Sequence, residues 1–125
     1  MTLSSSSNKS VRAAAILTGS YVASSLLNVS QTTTQKVTYY INFTIGSLTN
    51  GLFKPEVSID GSNWYDAAHT VAGTTASPGP LTLDATGKVA MTVDCTGAKL
   101  VRISVKGTGT ATSSSATIVA AWQRS

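Results

Sequence analysis

Val57-Ser58-Ile59-Asp60-Gly61-Ser62-Asn63-Trp64-Tyr65 decides the fold class of this chain. Alternating residues run into Asp60-Gly61 and come out on the pair Trp64-Tyr65. An Asp-Gly step between such segments is a hairpin signal, because glycine supplies positive φ and the aspartate side chain caps the bend. The stretch predicts two antiparallel strands joined by a tight turn at residues 60–63, with an aromatic pair opening the return.

The alternation continues on both sides. Val37, Tyr39, Ile41, Phe43 and Ile45 share one face, and Lys36, Thr38, Tyr40, Asn42 and Thr44 the other. Strict period 2 over that length predicts a long strand with one buried face. Residues 46–51 read as a turn, and residues 52–60 as the next strand, with Phe53, Val57 and Ile59 inward and Lys54, Glu56 and Ser58 outward. Pro55 falls on the inward register and has no N–H for a ladder, which predicts an edge strand or a bulge. Residues 69–80 read as a loop around Pro78-Gly79-Pro80, and residues 81–83 as a short edge strand. Val89, Met91, Val93 and Cys95 form one face of a further strand. Val101, Ile103 and Val105 point inward from the next, with Arg102, Ser104 and Lys106 outward. Ile118, Ala120 and Trp122 line the last. Residues 11–17 are a first strand candidate, although residues 13–15 also permit a short helix; residues 21–29 are ambiguous. The expectation is an all-β, antiparallel β-sandwich or jelly-roll-like domain of seven to eight strands. Residues 1–10 form a polar, extended N-terminal arm, and residues 11–125 a single domain.

Composition agrees. Ser and Thr supply 37 of the 125 residues, and charged residues only 11%, against about 25% in an average domain. A chain of this length buries enough surface to fold without disulfides or a metal. The net charge of +4 is scattered, with no run of Lys or Arg. Lys99 alternates to the opposite face from Arg102 and Lys106, so no basic stripe is expected and nucleic acid is not an expected partner. Cys95 is the single cysteine, which excludes an internal disulfide and fits a small core residue in a chain folded in a reducing cytosol. The N-terminus lacks a basic segment followed by an apolar one, and residues 13–17 are too short for a membrane span, so neither secretion signal nor membrane association is expected.

Chemistry is sparse. His69 is the single histidine; Asp66 precedes it by three residues, but no Gly-x-Ser-x-Gly elbow exposes a nucleophile. Glu56, Asp60, Asp66, Asp84 and Asp94 are the carboxylates available for paired acid–base work, and each has an ordinary place on a strand face, turn or strand end. Asp60, Ser62, Asn63 and Asp66 put oxygens close together, without EF-hand spacing. One His and one Cys make no transition-metal set. No catalytic residue, cofactor or metal is expected. Trp64, Tyr65, Tyr39, Tyr40 and Trp122 admit two readings: a sugar-binding platform, as in a carbohydrate-binding module, or a sandwich core of Trp64, Tyr39 and Trp122 with Tyr40 and Tyr65 exposed.

The marker residues Asp60, Gly61, Asn63, Trp64 and Tyr65 carry a resemblance. The run 57–65 resembles the x-S-x-D-G-x-N-W-Y hairpin of small β-sandwich structural proteins of tailed bacteriophages. Gly97-Ala98-Lys99-Leu100-Val101-Arg102-Ile103-Ser104-Val105 resembles their a-k-y-v-R-v-x-v strand, followed by a Gly/Thr bend and a last apolar strand. The likeness spans residues 35–122. It implies a non-enzymatic virion protein made in the host cytoplasm and used in many copies as a homo-oligomer against other virion proteins. The roles it implies are capsid decoration or cement, with neck, head–tail connector or tail protein as the alternative. The N-terminal arm and the sheet edges near Pro55 and Leu81 are the expected joining surfaces.

Overall fold

Apolar side chains at every second position need a second layer to cover them, and the computed structural model supplies it as two antiparallel sheets packed face to face. The structure describes residues 5–29, 36–71, 74–76, 79–110 and 112–124. Among them are twelve strands: β1 (Ser5–Ala15), β2 (Val22–Ala23), β3 (Leu27–Asn28), β4 (Lys36–Thr44), β5 (Leu48–Ser58), β6 (Tyr65–Asp66), β7 (His69–Val71), β8 (Thr74–Ala76), β9 (Leu81–Leu83), β10 (Gly87–Asp94), β11 (Leu100–Gly109) and β12 (Ser115–Arg124). Sheet A runs β1-β12-β4-β10-β7-β8; sheet B runs β2-β11-β5-β6, with β3 also on β11 and β9 also on β5.

The all-β sandwich is as the alternation predicts, but there are more strands than seven or eight. Six strands have eight or more residues, and these are the ones that periodicity can register. The other six have two or three residues, too few to show a period. Residues 69–80, expected as a loop, contain the β7–β8 hairpin, paired from His69 opposite Ala76 to Val71 opposite Thr74. Residues 46–51, expected as a turn, shrink to a bend at Gly46-Ser47, and β5 already begins at Leu48. Residues 13–15 continue β1 rather than form a helix. The arm residues 5–10 also belong to β1, where they pair with the chain's own β12.

The core is the inner faces of the long strands. Val37, Tyr39, Ile41 and Phe43 of β4, Met91 and Val93 of β10, Val101, Ile103 and Val105 of β11, and Ile118 and Ala120 of β12 are buried, as is Cys95. Trp122 packs partly buried at the margin of this core. Ile59, expected inward, is 62% exposed. It lies one residue past the last ladder pair of β5, Ser58 with Leu100, so no strand geometry holds it over the core.

Pro55 does not mark an edge. β5 pairs with β11 at ten positions, Pro55 opposite Ile103, and has β6 and β9 on its other side. The Pro55 carbonyl accepts the Ala67 N–H at 3.0 Å, so the prolyl nitrogen faces the same side. There it falls between the β9 pairs, which end at Phe53, and the β6 pairs, which begin at Glu56. No ladder donor is required at that gap. Leu81 does lie on a short edge strand, β9, which among the described residues pairs with β5 alone.

One contact sets how closely the sheets approach. Gly51 of β5 and Gly107 of β11 are direct cross-strand partners. Phe43 comes from sheet A so close that a Cβ on Gly51 would lie 2.8 Å from its ring; on Gly107 it would lie 2.8 Å from Leu48. Phe43 meets Phe53 edge-on, with centroids 5.4 Å apart at 82°, a favoured aromatic geometry. Gly51→Ala should therefore lower stability by about 1–3 kcal/mol through overpacking, read as a fall in the urea midpoint at unchanged m-value. An unchanged midpoint would contradict the close approach.

Candidate functional site

The marker hairpin and the outer face of sheet B form one continuous surface. Val57 opposite Tyr65 is the last pair before the bend, so the connection is the seven residues 58–64 rather than a two-residue turn. Asp60 organises it. Its Oδ1 accepts the backbone N–H groups of Ser62 and Asn63, each at 2.8 Å, and its Oδ2 accepts Asn63 Nδ2–H at 2.8 Å. The Ser58 hydroxyl donates to Oδ1 at 3.1 Å and accepts the N–H groups of Asp60 and Gly61 at 3.2 and 2.9 Å. Gly61 has φ +81°, the left-handed region that glycine tolerates. The Asn63 backbone N–H first, then the Ser62 N–H and the Asn63 and Ser58 side chains, hold the Asp60 carboxyl well below the usual carboxylate range. Its oxygens are turned onto donors of its own loop, leaving the arrangement a poor cradle for a cation.

Strand period 2 puts Lys54, Glu56 and Ser58 of β5 on the outer face beside Leu100, Arg102, Ser104 and Lys106 of β11. The register sets Glu56 directly opposite Arg102 and Lys54 opposite Ser104. Glu56 Oε1 accepts the Ser104 hydroxyl at 2.6 Å and Arg102 Nε–H at 3.1 Å, while Oε2 lies 3.7 Å from Lys54 Nζ. Hydrogen bonds to a charged group contribute about 1.5–3 kcal/mol each where they are shielded from water. Here the cations are partly exposed, so the net value sits toward the lower end of that range. Two aromatic rings roof the cluster. Trp64 carries the Arg102 guanidinium 4.0 Å from its centroid; Tyr21 has Lys54 Nζ at 4.3 Å and Lys106 Nζ at 5.4 Å. With that roof Glu56 is buried although it points away from the core.

Trp64 is thus no core plug. It sits in the connection just before β6, outside the sandwich, half-buried against Arg102. Tyr65 and Tyr40 are exposed, at 63% and 54%, and Tyr39 is fully buried. Tyr40 stands on the opposite outer face, that of sheet A, beside a shallow hollow of about 510 Å³ lined with Asn42, Lys88, Ala90, Thr117 and Val119. Trp64 and Tyr40 therefore belong to different sheets and share no platform.

The catalytic candidates are dispersed. His69, expected in a loop, is a buried residue of β7 opposite Val93 in sheet A, with Nδ1 3.4 Å from the Ala67 carbonyl oxygen. Asp66 is exposed on β6 in sheet B, opposite Glu56. Asp94 accepts the Thr96 N–H at 3.0 Å, which lowers its pKa, and Asp84 is exposed after β9. Burial, then the Asp94 charge, pushes the Cys95 thiol up to about 11, an unreactive state. Among the described residues no three His, Cys, Asp or Glu side chains gather as a metal-ligand set. No helix of the described residues is long and apolar enough to cross a membrane. Tyr21, Arg102 and Ser104 are the partners that sequence reasoning missed. The alternation of Arg102 and Ser104 is visible, but nothing in it gives the β5–β11 register that brings them to Glu56, and Tyr21 lies in a stretch with no clear period.

Asp60 gives a pH test with a definite sign. A carboxyl with a depressed folded-state pKa contributes stability above its unfolded value, about 3.9, and loses it as pH falls toward the folded value. Asp60→Asn keeps an acceptor oxygen but not the charge. It should lower the urea midpoint at pH 7 and flatten the fall in midpoint below about pH 4. An acid profile parallel to the wild-type one would contradict the loop geometry.

No family model matches the chain, and no curated protein matches it. Among solved structures it is similar to the crystal structure of the SPBc2 prophage-derived protein YomS, with TM-score 0.68 and 17% identity, covering 98% of this chain and 96% of that one. At that identity the likeness establishes a shared two-sheet fold along nearly the full length of both chains.

Proposed function

We propose that this chain is a non-enzymatic structural protein of a tailed-phage particle, used in many copies as a capsid decoration or cement subunit. The observation that carries the reading is the fold likeness to a prophage-derived protein over 98% of the chain. The hairpin at residues 57–65 supports it from the sequence side. The disposition of the polar groups supports it too: Glu56 and Asp60 hold neighbouring elements of the same chain, and His69 and Cys95 are buried. Trp64 spends one ring face on Arg102, which favours an intramolecular role over a sugar platform. The chain would be made in the host cytoplasm, join other virion proteins and its own copies, and remain on the particle.

Quantitative mass spectrometry of purified particles tests this. A copy number comparable to that of the major capsid protein is the expected result. A ring-sized number would move the chain to the neck, connector or tail. Absence from particles that assemble in its presence would contradict a structural role.

A further inference from the structure

Residues 5–10 are ordered in a way that their composition does not explain. Ser5-Ser6-Ser7-Asn8-Lys9-Ser10 contains no apolar side chain, and Asn8, Lys9 and Ser10 are exposed. Such a segment has nothing to offset the entropy of being fixed. It nevertheless continues β1 along β12 without a register break, from Ser5 opposite Arg124 to Ser10 opposite Val119. Backbone pairing with one neighbouring strand is the support the described residues give it.

The character of β1 changes abruptly at the next residue. The ladder shifts register between Ser10 and Arg12. Val11 enters the core at 4% exposure, and its carbonyl accepts the Ser25 N–H at 3.0 Å. Arg12 donates from Nε to the Ala116 carbonyl at 3.1 Å and from Nη2 to the carbonyls of Ala15 and Ile16 at 3.1 and 2.9 Å. The strand is pinned from Val11 onward and lightly held before it, with a bulge as the hinge. β12 is held independently, by its pairing with β4 from Ser115 to Ala121. Its β1-facing edge at residues 119–121, opposite residues 8–10, therefore persists when residues 5–10 leave.

We propose that residues 5–10 are an exchangeable strand that leaves its own β12 and pairs with the β12 edge of a second copy of this chain. The occupant follows from the edge itself, which already accepts this segment in this register; an identical segment fits with the same hydrogen bonds. Exchange then costs little in contacts and links copies wherever their local concentration is high. The inference supplies the joining device for the multi-copy reading above. It is tested on the isolated protein, so its failure would leave the particle experiment untouched.

Asn8 lies directly opposite Ala121, a placement that a disulfide spans with a small shift. Cys95 is buried and does not compete. Asn8→Cys chains mixed with Ala121→Cys chains in a thiol–disulfide buffer should give a covalent heterodimer. A control mixture of Asn8→Cys with Thr82→Cys, on β9 of the other sheet, should not. The double variant, oxidised within the chain at high dilution, should stay monomeric by light scattering at concentrations where its reduced form associates. Heterodimer yield no higher than the control overturns the proposal. So does association of the cross-linked form equal to that of the reduced form, or a reduced form that stays monomeric throughout.

Discussion

The bare backbone at Gly51 and Gly107, filled by Phe43 from the opposite sheet at Gly51 and by Leu48 and Leu17 at Gly107, is the constraint on which the rest of the sandwich depends. Two facing glycines weaken a ladder on their own account, since they contribute no side chain to it and lose more entropy on folding. Here Gly51 admits an aromatic ring, and Gly107 two leucines, where a Cβ would collide. That seats Phe43 against Phe53 and brings Leu17 and Leu48 down onto Gly107. The Gly107 N–H is also used, donating to the Thr18 carbonyl at 2.8 Å. The β5–β11 register is thereby locked near the end of its ladder where Leu48 pairs with Gly109. The same register, read on the outer face, puts Arg102 and Ser104 onto Glu56.

The polar chemistry follows from that register and is largely turned on the chain itself. Glu56 gathers Lys54, Arg102 and Ser104, and Trp64 and Tyr21 cover the cations. Asp60 spends its oxygens on the loop that returns the chain to β6. Such groups fix geometry: removing one leaves its partners unpaired, which costs more than the pair contributes. Surface left for partners includes backbone at sheet edges, the hollow beside Tyr40 with Lys88 in its lining, and the exposed Tyr65.

Much of this was legible in the sequence, and the exceptions have physical reasons. β4, β10, β11 and β12 show themselves because one face of each packs on the core, so period 2 survives over most of their length. The Asp60 bend was legible as a turn because aspartate and glycine each have a local reason to be there. Its length was not, since Ser58 and Asn63 extend the hydrogen-bonded loop beyond the Asp-Gly step. Pro55 misled because a missing donor matters only on the side where a partner needs it. Trp64 misled because a guanidinium covers an indole as well as a core does, and Arg102 is distant in sequence. β7 and β8 were hidden by brevity. Residues 5–10 read as an arm apart from the domain because composition reports what side chains can bury, and a backbone ladder on an existing edge asks nothing of them.

The picture is a rigid sandwich, locked at Gly51 and Gly107, carrying a lightly held first strand. Residue-resolved native-state hydrogen exchange reads both properties in one experiment. The expected result is slow exchange near the global unfolding limit for ladder amides around Phe53 and Val105, and much faster exchange for residues 6–10 while the rest stays folded. Protection of residues 6–10 equal to that of β5 and β11 would contradict it.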